Sequence, residues 1–532
     1  MTRLTCRRTA LVVALVSGGC ASPHTPTAPP PDVRPATQPA MASALPLDRS
    51  AIRPIDREIV AVDLPAVVQV ARARNVDIEQ ARERVTASRG RLESTIGAIF
   101  PVLTPGAQFE QVHGKARNTD GNLLSVGFNT FQVSAAVQAV INPPRVAYDV
   151  IAARKRLAAA EHEERAVGLE TLRRAANAYY ELVFAQARVA AAHQSLREAE
   201  EFLRVSRLRE LAGAAVPADV LRAESRQAER AQDVIAALNA YDGASIALAV
   251  IVRMDAAVTL APQIEKLTPL ALVRPELTLD ELLSVAVDYR PELVQVRTLI
   301  QAAEAERKAA WWGAFGPQFQ VGYQYGGITG HANNVIPRSG TPANLVLNPF
   351  AADGSFSANP YVNNAIKNAI SRDSQRRAGA RDQTFGFSDQ HRFGAGTGWR
   401  FSFAALGDLR TAGALQRQAI IEGERLLDRA RADVVAARQS SRANEELIGL
   451  AHSQLMAAEE SLRLAQAAFQ AGVSTTLDVL QAQDAVAQAR LRHAAALVRF
   501  NQSQVDLLAA IGLLNEESLA APTSEARPGE SD

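Results

Sequence analysis

The sequence predicts a mainly α-helical protein with a smaller β component. Duplicated long-helix coiled-coil hairpins would form an α-helical tunnel, and four strands would contribute to a shared transmembrane β-barrel. Three observations predict this. Two helical stretches run almost without Pro or Gly from about Val146 to Leu211 and from about Leu409 to Ala471, the chain is one unit written twice, and short segments between the helices alternate apolar and polar residues. A stretch of that length spans roughly 100 Å at about 1.5 Å per residue, more than a compact domain needs.

Composition agrees with helices packed side by side. Ala is abundant and aromatics make up only 5% of the chain. Ala has the highest helix propensity and lets helices approach closely. Lys and Arg total 57 against 56 Asp and Glu, a net charge of +1 over 532 residues. A nucleic-acid binder would be clearly basic. The eight His are scattered and show no metal-ligand spacing. No P-loop, nucleophile elbow or HExxH motif occurs, so the chain is not expected to be an enzyme or to need a cofactor.

The first nineteen residues are an address. Arg3, Arg7 and Arg8 precede a short apolar core, Thr9 to Val16, and then Ser17-Gly18-Gly19-Cys20. This is a secretory signal pattern, too short to span a membrane. Small residues leading into a Cys resemble a lipoprotein cleavage box, with Cys20 as the acylated first residue. Ser17 stands where such boxes usually carry Leu, and a plain signal peptide cleaved near Ala21 is the alternative. Cys6 and Cys20 are the only cysteines, so the mature body forms no internal disulfide. Residues 20–50, rich in Pro, Ala and Thr, are expected to be a flexible tether.

Residues 51–277 and 278–515 are two copies of one plan, followed by a disordered tail, 516–532. Val62–Pro101 matches Thr278–Pro317, each ending in an aromatic-and-Pro break. Leu211–Leu221 matches Gln470–Leu480, with the same spacing from Gly213 to Asp219 as from Gly472 to Asp478. The second copy is longer, and the excess falls in a Gly/Asn/Ser-rich loop at about 330–390. Each copy reads helix, two strands, long helix, tight Gly turn, helix.

The strands carry the membrane signal. Phe319, Val321, Tyr323 and Tyr325 alternate with polar residues or Gly. Phe393, Ala395, Thr397, Trp399, Phe401 and Phe403 do the same, and Phe131, Val133, Ala135 and Val137 repeat the pattern more weakly. Alternation bordered by aromatics is the pattern of a transmembrane barrel; a soluble hairpin with one buried face is the alternative. After the signal we find no apolar run of about 18 residues, so any insertion must use a closed barrel. The smallest barrels need about eight strands, so several copies must pool theirs.

With these features together, the sequence resembles the TolC-like outer-membrane efflux protein family, and within it the lipoprotein branch serving multidrug pumps of the RND type. The resemblance covers about Asp56 to Asn515. It implies a homotrimer in the outer membrane, lipid-anchored at Cys20, with a periplasmic helical tunnel whose tips meet a periplasmic adaptor protein and through it an inner-membrane pump. It places docking tips at Gly213, Ala214, Val216, Gly472, Val473, Ser474 and Thr475. It places a periplasmic gate at Asp478, Gln481 and Phe469. Gln481 stands where the best-known relative has a second ring aspartate, and Phe469 where it has Tyr. A carboxylate ring would attract cations, while a simpler role for Asp219 and Asp478 is to stabilise a helix N-terminus. The function implied is a passive conduit for small-molecule export. A protein-secretion outlet and a pore-free structural envelope lipoprotein are the alternatives.

Overall fold

The computed structural model describes residues 31–35, 45–46, 58–117, 123–213, 216–264, 266–333, 383–399 and 402–519. Cys20, Ala214 and most of the expected loop, residues 334–382, lie outside them. In chain order the elements are β1 (Leu45–Pro46), β2 (Ile59–Val62), α1 (Leu64–Arg74), α2 (Val76–Gly97), β3 (Val102–Arg117), β4 (Leu123–Ile141), α3 (Pro143–Leu211) and α4 (Pro217–Val252). Then follow β5 (Thr259–Pro262), β6 (Lys266–Leu267), α5 (Leu279–Tyr289), α6 (Pro291–Phe315), β7 (Gln318–Asn333), β8 (Gln383–Gly398), α7 (Phe403–Gln470), α8 (Thr476–Ala510) and α9 (Glu516–Leu519). They fall into two compact units. The described residues of one lie within 89–155 and 301–418, those of the other within 20–88, 156–300 and 419–532.

The first unit holds an antiparallel sheet of order β3-β4-β7-β8. Its register puts Leu103, Val137, Tyr323 and Phe393 in one row across all four strands. Directly opposed residues share a face, so the apolar residues form one continuous surface. Tyr323 on that surface is 43% exposed, whereas Gln324 on the opposite face is 3% exposed. Thr130 and Gln132 are buried with Gln324, as in a sheet curled around its polar side. Apolar side chains outward and polar ones inward is the reverse of a soluble fold and the arrangement lipid demands. Phe387 lies flat over Gly327, where any Cβ would collide with its ring.

The helix–strand junctions of this unit are tightly built. Asn142 Oδ1 accepts from the Arg145 N–H (3.2 Å), and its Nδ2 donates to the Trp312 carbonyl (2.9 Å). Gly316 is required beside it, because a Cβ there would sit 2.3 Å from the Trp312 oxygen. The long helices begin slightly earlier than expected, at Pro143 and Phe403. The strand alternation expected to run to Phe403 stops at Gly398: Ser402 Oγ accepts from the Ala404 N–H (3.2 Å), so Phe403 opens a helix instead.

The second unit surrounds α8, most of whose residues are buried. α4 packs on the parallel pair β2–β5: the Tyr241 hydroxyl donates to the Leu260 carbonyl (2.6 Å), and the Leu260 N–H donates to Ser245 Oγ (2.8 Å). Buried polar residues on α8 satisfy the connector after β6. Asn501 accepts from the Leu270 N–H (2.7 Å), and Gln504 accepts from Leu272 and Val273 (3.0 and 3.1 Å). α8 ends in a Schellman turn at Gly512, φ +78°, with Leu513 N–H donating to the Leu508 carbonyl (3.1 Å).

Four expectations are adjusted. The helix expected to open each repeat is two helices. Pro291 holds Arg290 in extended backbone (ψ 117°), and Asn75 does the same job in the first copy by accepting from the Asp77 N–H (2.8 Å). The tether is held at two points, since Val33 is buried and Leu45–Pro46 pairs with β6. The tail begins as a helix, Glu516–Leu519, with Leu519 1% exposed. α4 is apolar enough to cross a membrane, with an 18-residue window of mean hydropathy 1.7. That corrects the view that no helix after the signal qualifies. One face of it joins the core of the second unit, with Tyr241, Leu248, Ala249 and Val252 buried, while Ile235 and Val250 are exposed.

Candidate functional site

The described gate and docking residues sit where the long helices reverse, in the second unit. α7 stops because Gly472 adopts φ +79°, and the Val473 and Gly472 N–H groups donate to the Ala468 and Phe469 carbonyls (3.0 and 3.1 Å). This left-handed residue suits Gly and few others. Gly213 (φ +71°) ends α3 in the same way, its N–H donating to the Glu210 carbonyl (2.9 Å). Val216, Gly472, Val473 and Thr475 are exposed, and Ser474 is half-buried. Val473 is 80% exposed, an apolar side chain with no partner among the described residues.

Asp478 is first a capping residue. Thr475 is the N-cap of α8, and its hydroxyl accepts from the Asp478 N–H (3.3 Å). In return Asp478 Oδ2 accepts from the Thr475 N–H (2.8 Å), the Thr475 hydroxyl (2.7 Å) and the Ser474 hydroxyl (2.9 Å). These donors, the backbone one foremost, hold its carboxyl below the ordinary carboxylate range. Asp478 is exposed, so it presents a fixed negative charge to solvent. Asp219, at the matching place in α4, has no capping box; Val216 offers no side-chain acceptor, and Asp219 pairs with Arg222 (3.0 Å). Gln481 is exposed one turn beyond Asp478.

Phe469 is buried and joins the two hairpins. Its ring lies 5.3 Å from that of Phe202 on α3, and the Arg209 guanidinium sits 4.3 Å above it. Arg209 Nη1 also donates to the Phe469 carbonyl. Around them Leu203, Val220, Leu462, Val479 and Val486 form a small apolar core from all four helices. Arg209 was not legible as a site residue, because its partner lies 260 residues away.

Two ion-pair networks, also missed in the sequence, extend the connection. Asp484 on α8 accepts from Arg226 (2.8 Å) and Arg230 on α4. Glu198 on α3 pairs with Arg490 on α8 (2.8 Å). Arg226 and Arg230 stand one turn apart, which is the only sequence signal that they share a partner. Their side chains are 20% and 14% exposed, against 32% for Asp484. A double-mutant cycle of Asp484→Asn with Arg230→Gln should give a coupling of about 1–3 kcal/mol, between exposed and buried pairs. Thermal denaturation in detergent measures it, and additive effects would remove the pair from the connection.

A model described as "Outer membrane efflux protein" matches residues 67–252 and 366–513, more than half the chain. The chain belongs to that family. It is an outer-membrane channel of an efflux system.

Solved structures share the fold of this efflux protein. A membrane protein from Pseudomonas aeruginosa is 20% identical with a TM-score of 0.66, covering 92% of this chain and 100% of its own. VceC of Vibrio cholerae is 18% identical with a TM-score of 0.63, covering 84% and 96%. The Campylobacter jejuni outer membrane channel CmeC is 14% identical with a TM-score of 0.63, covering 91% and 95%. No curated protein matches the sequence.

Proposed function

We propose that three copies of this efflux protein pool their strands into one barrel. Their tips narrow the periplasmic mouth and dock a periplasmic adaptor that leads to an inner-membrane pump for small molecules. The carrying observation is the four-stranded sheet with an exposed apolar face: four strands cannot close, and an open edge cannot sit in lipid. The docking surface comprises Gly213, Ala214, Val216, Gly472, Val473, Ser474 and Thr475. Unpartnered Val473 and the two exposed glycine turns support it. Cys20 would carry the lipid that holds the tether to the membrane; incorporation of labelled palmitate, lost in Cys20→Ser, tests this.

The gate would be a symmetric ring of Asp478, with Gln481 beyond it and Phe469 as the latch beneath. Opening requires the α7–α8 hairpin to leave α3–α4, which breaks the Phe469–Arg209 contact and the Asp484 pairs. The carboxyl of Asp478 is depressed in the folded protein. Its capping contribution is therefore present above the ordinary carboxylate pKa and lost only as pH falls through the lower folded value. Cation selectivity should accordingly persist as pH falls through the ordinary carboxylate range and be lost only below it.

Single-channel conductance in a planar bilayer tests the gate, with Asp478→Asn alongside. Asn keeps an acceptor for the Thr475 N–H while removing the charge. A small cation-selective current that rises or loses selectivity in the variant supports pore and gate. A current indifferent to the change removes Asp478 from the gate, and no current in either protein counts against an open conduit.

A further inference from the structure

The first unit carries a basic cleft that neither the barrel nor the tips explain. It lies between α6 and α7, with a volume of about 510 Å³, and is lined by Arg307, Lys308, Trp311, Arg410 and Arg417. Lys308 is paired with Glu304 at 2.8 Å. The three guanidiniums have no carboxylate within ion-pair distance among the described residues. Gly413 leaves room for Arg417 to lie along the helix, its Nη1 3.7 Å from where a Cβ would stand. Across the helix ends of this unit, residues 89–97, 143–155, 301–315 and 403–418, nine Lys and Arg meet only five Asp and Glu. In a chain of net charge +1 this is a local excess that repels itself unless an anion joins it.

Its depth says which anion. α6 ends at Phe315, three residues before β7, and α7 starts five residues after β8. At about 1.5 Å per residue, Trp311 lies about 6 Å from the end of α6 and Arg307 and Lys308 about 11 Å, while Arg410 lies about 11 Å and Arg417 about 21 Å from the start of α7, the Arg417 guanidinium being drawn back beside Gly413 at about 15 Å. Large apolar side chains crowd the same level: Trp311, Phe315, Trp399 and Phe403 are all exposed. Trp belongs at a membrane interface, and the headgroup layer extends about 5–8 Å beyond the hydrocarbon. Long basic side chains reach into that layer from just outside it.

We propose that this cleft binds the phosphate of an anionic phospholipid headgroup in the periplasmic leaflet of the outer membrane, with Trp311 against the glycerol. Each guanidinium then gains a charge-assisted partner. The inference does not depend on the gate.

The test uses the full-length protein in detergent, titrated with short-chain phosphatidylglycerol, phosphatidylcholine or inorganic phosphate. Native mass spectrometry counts bound lipid. Phosphatidylglycerol should bind tightest, and R410Q/R417Q should weaken it about 25-fold, about fivefold per charge. R410Q and R417Q singly should each show the fivefold step, which keeps the result readable if the double variant is unstable. Equal binding of the two lipids, or unchanged binding in the variants, overturns the proposal. Displacement by millimolar inorganic phosphate would make this a free-anion site and overturn the lipid source. A change of oligomer size in the variants, seen by light scattering, would make the cleft a contact between copies and overturn it as well.

Discussion

Tyr323→Arg should remove the protein from the outer-membrane fraction, while Gln320→Arg, three residues away on the other face, should leave it there. Tyr323 sits mid-strand on the apolar face between Val137 and Phe393. Arg at the midplane of a barrel's lipid face costs about 2–4 kcal/mol, falling toward the interfaces. In a barrel shared among copies that cost recurs in each one. Gln320 belongs to the polar face with Gln324 and Gly322, where a cation meets water and alters ion selectivity without opposing insertion. Membrane fractionation and heat-modifiable migration give the readout. Loss of Gln320→Arg with survival of Tyr323→Arg would mean that the faces are assigned backwards.

Gly512→Ala should destabilise the second unit by about 3 kcal/mol, combining a left-handed backbone with an overpacked contact. At φ +78° an added Cβ would stand 2.7 Å from Arg290 Cα and 2.9 Å from Arg290 N, backbone atoms that cannot swing aside. The internal control is strong. Gly213 and Gly472 share the positive φ, at +71° and +79°, yet a Cβ on either meets nothing within 4 Å. Their Ala variants should cost only the backbone term, about 1–2 kcal/mol. Melting temperatures of the three variants separate steric from conformational cost. Equal shifts would show that the Arg290 contact is soft.

The physics that made some features legible is local. Strand alternation, helix continuity and the tip glycines each follow from a few neighbouring residues, so the duplicated plan and the membrane face could be read directly. The tip aspartate was visible because its spacing recurs. Its capping box needed Ser474 and Thr475 to be seen as donors, and the first copy, with Val216 in that place, lacks them. Arg209, Asp484 and Gly512 were illegible for the opposite reason. Each acts on a partner more than two hundred residues distant, and an Arg or Gly in a helical stretch looks like any other until the fold supplies that partner. The strand end at Gly398 was missed because Ser402 capping outweighs the three further apolar alternations expected at Trp399, Phe401 and Phe403. α4 was missed because its apolar residues are spread over the helix among charged and small ones, with no unbroken apolar run.

The interleaving of the second unit has a kinetic consequence. Its core joins residues from three separate stretches, and α8, which supplies much of the buried surface, belongs to the last of them. β2 waits about two hundred residues for its partner, β5, and the backbone of the connector around Leu270 donates to Asn501 and Gln504, which arrive later still. Contacts of such sequence separation form slowly, because chain entropy is lost before they repay it. A chain delivered N-terminus first therefore exposes strands with an apolar face throughout its export, with nothing yet to hold them apart from other chains. The second unit can therefore close only once α8 has crossed, and a chain cut short before α8 is expected to be degraded rather than to form a smaller channel, which pulse-chase of a chain truncated after Gln470 would show.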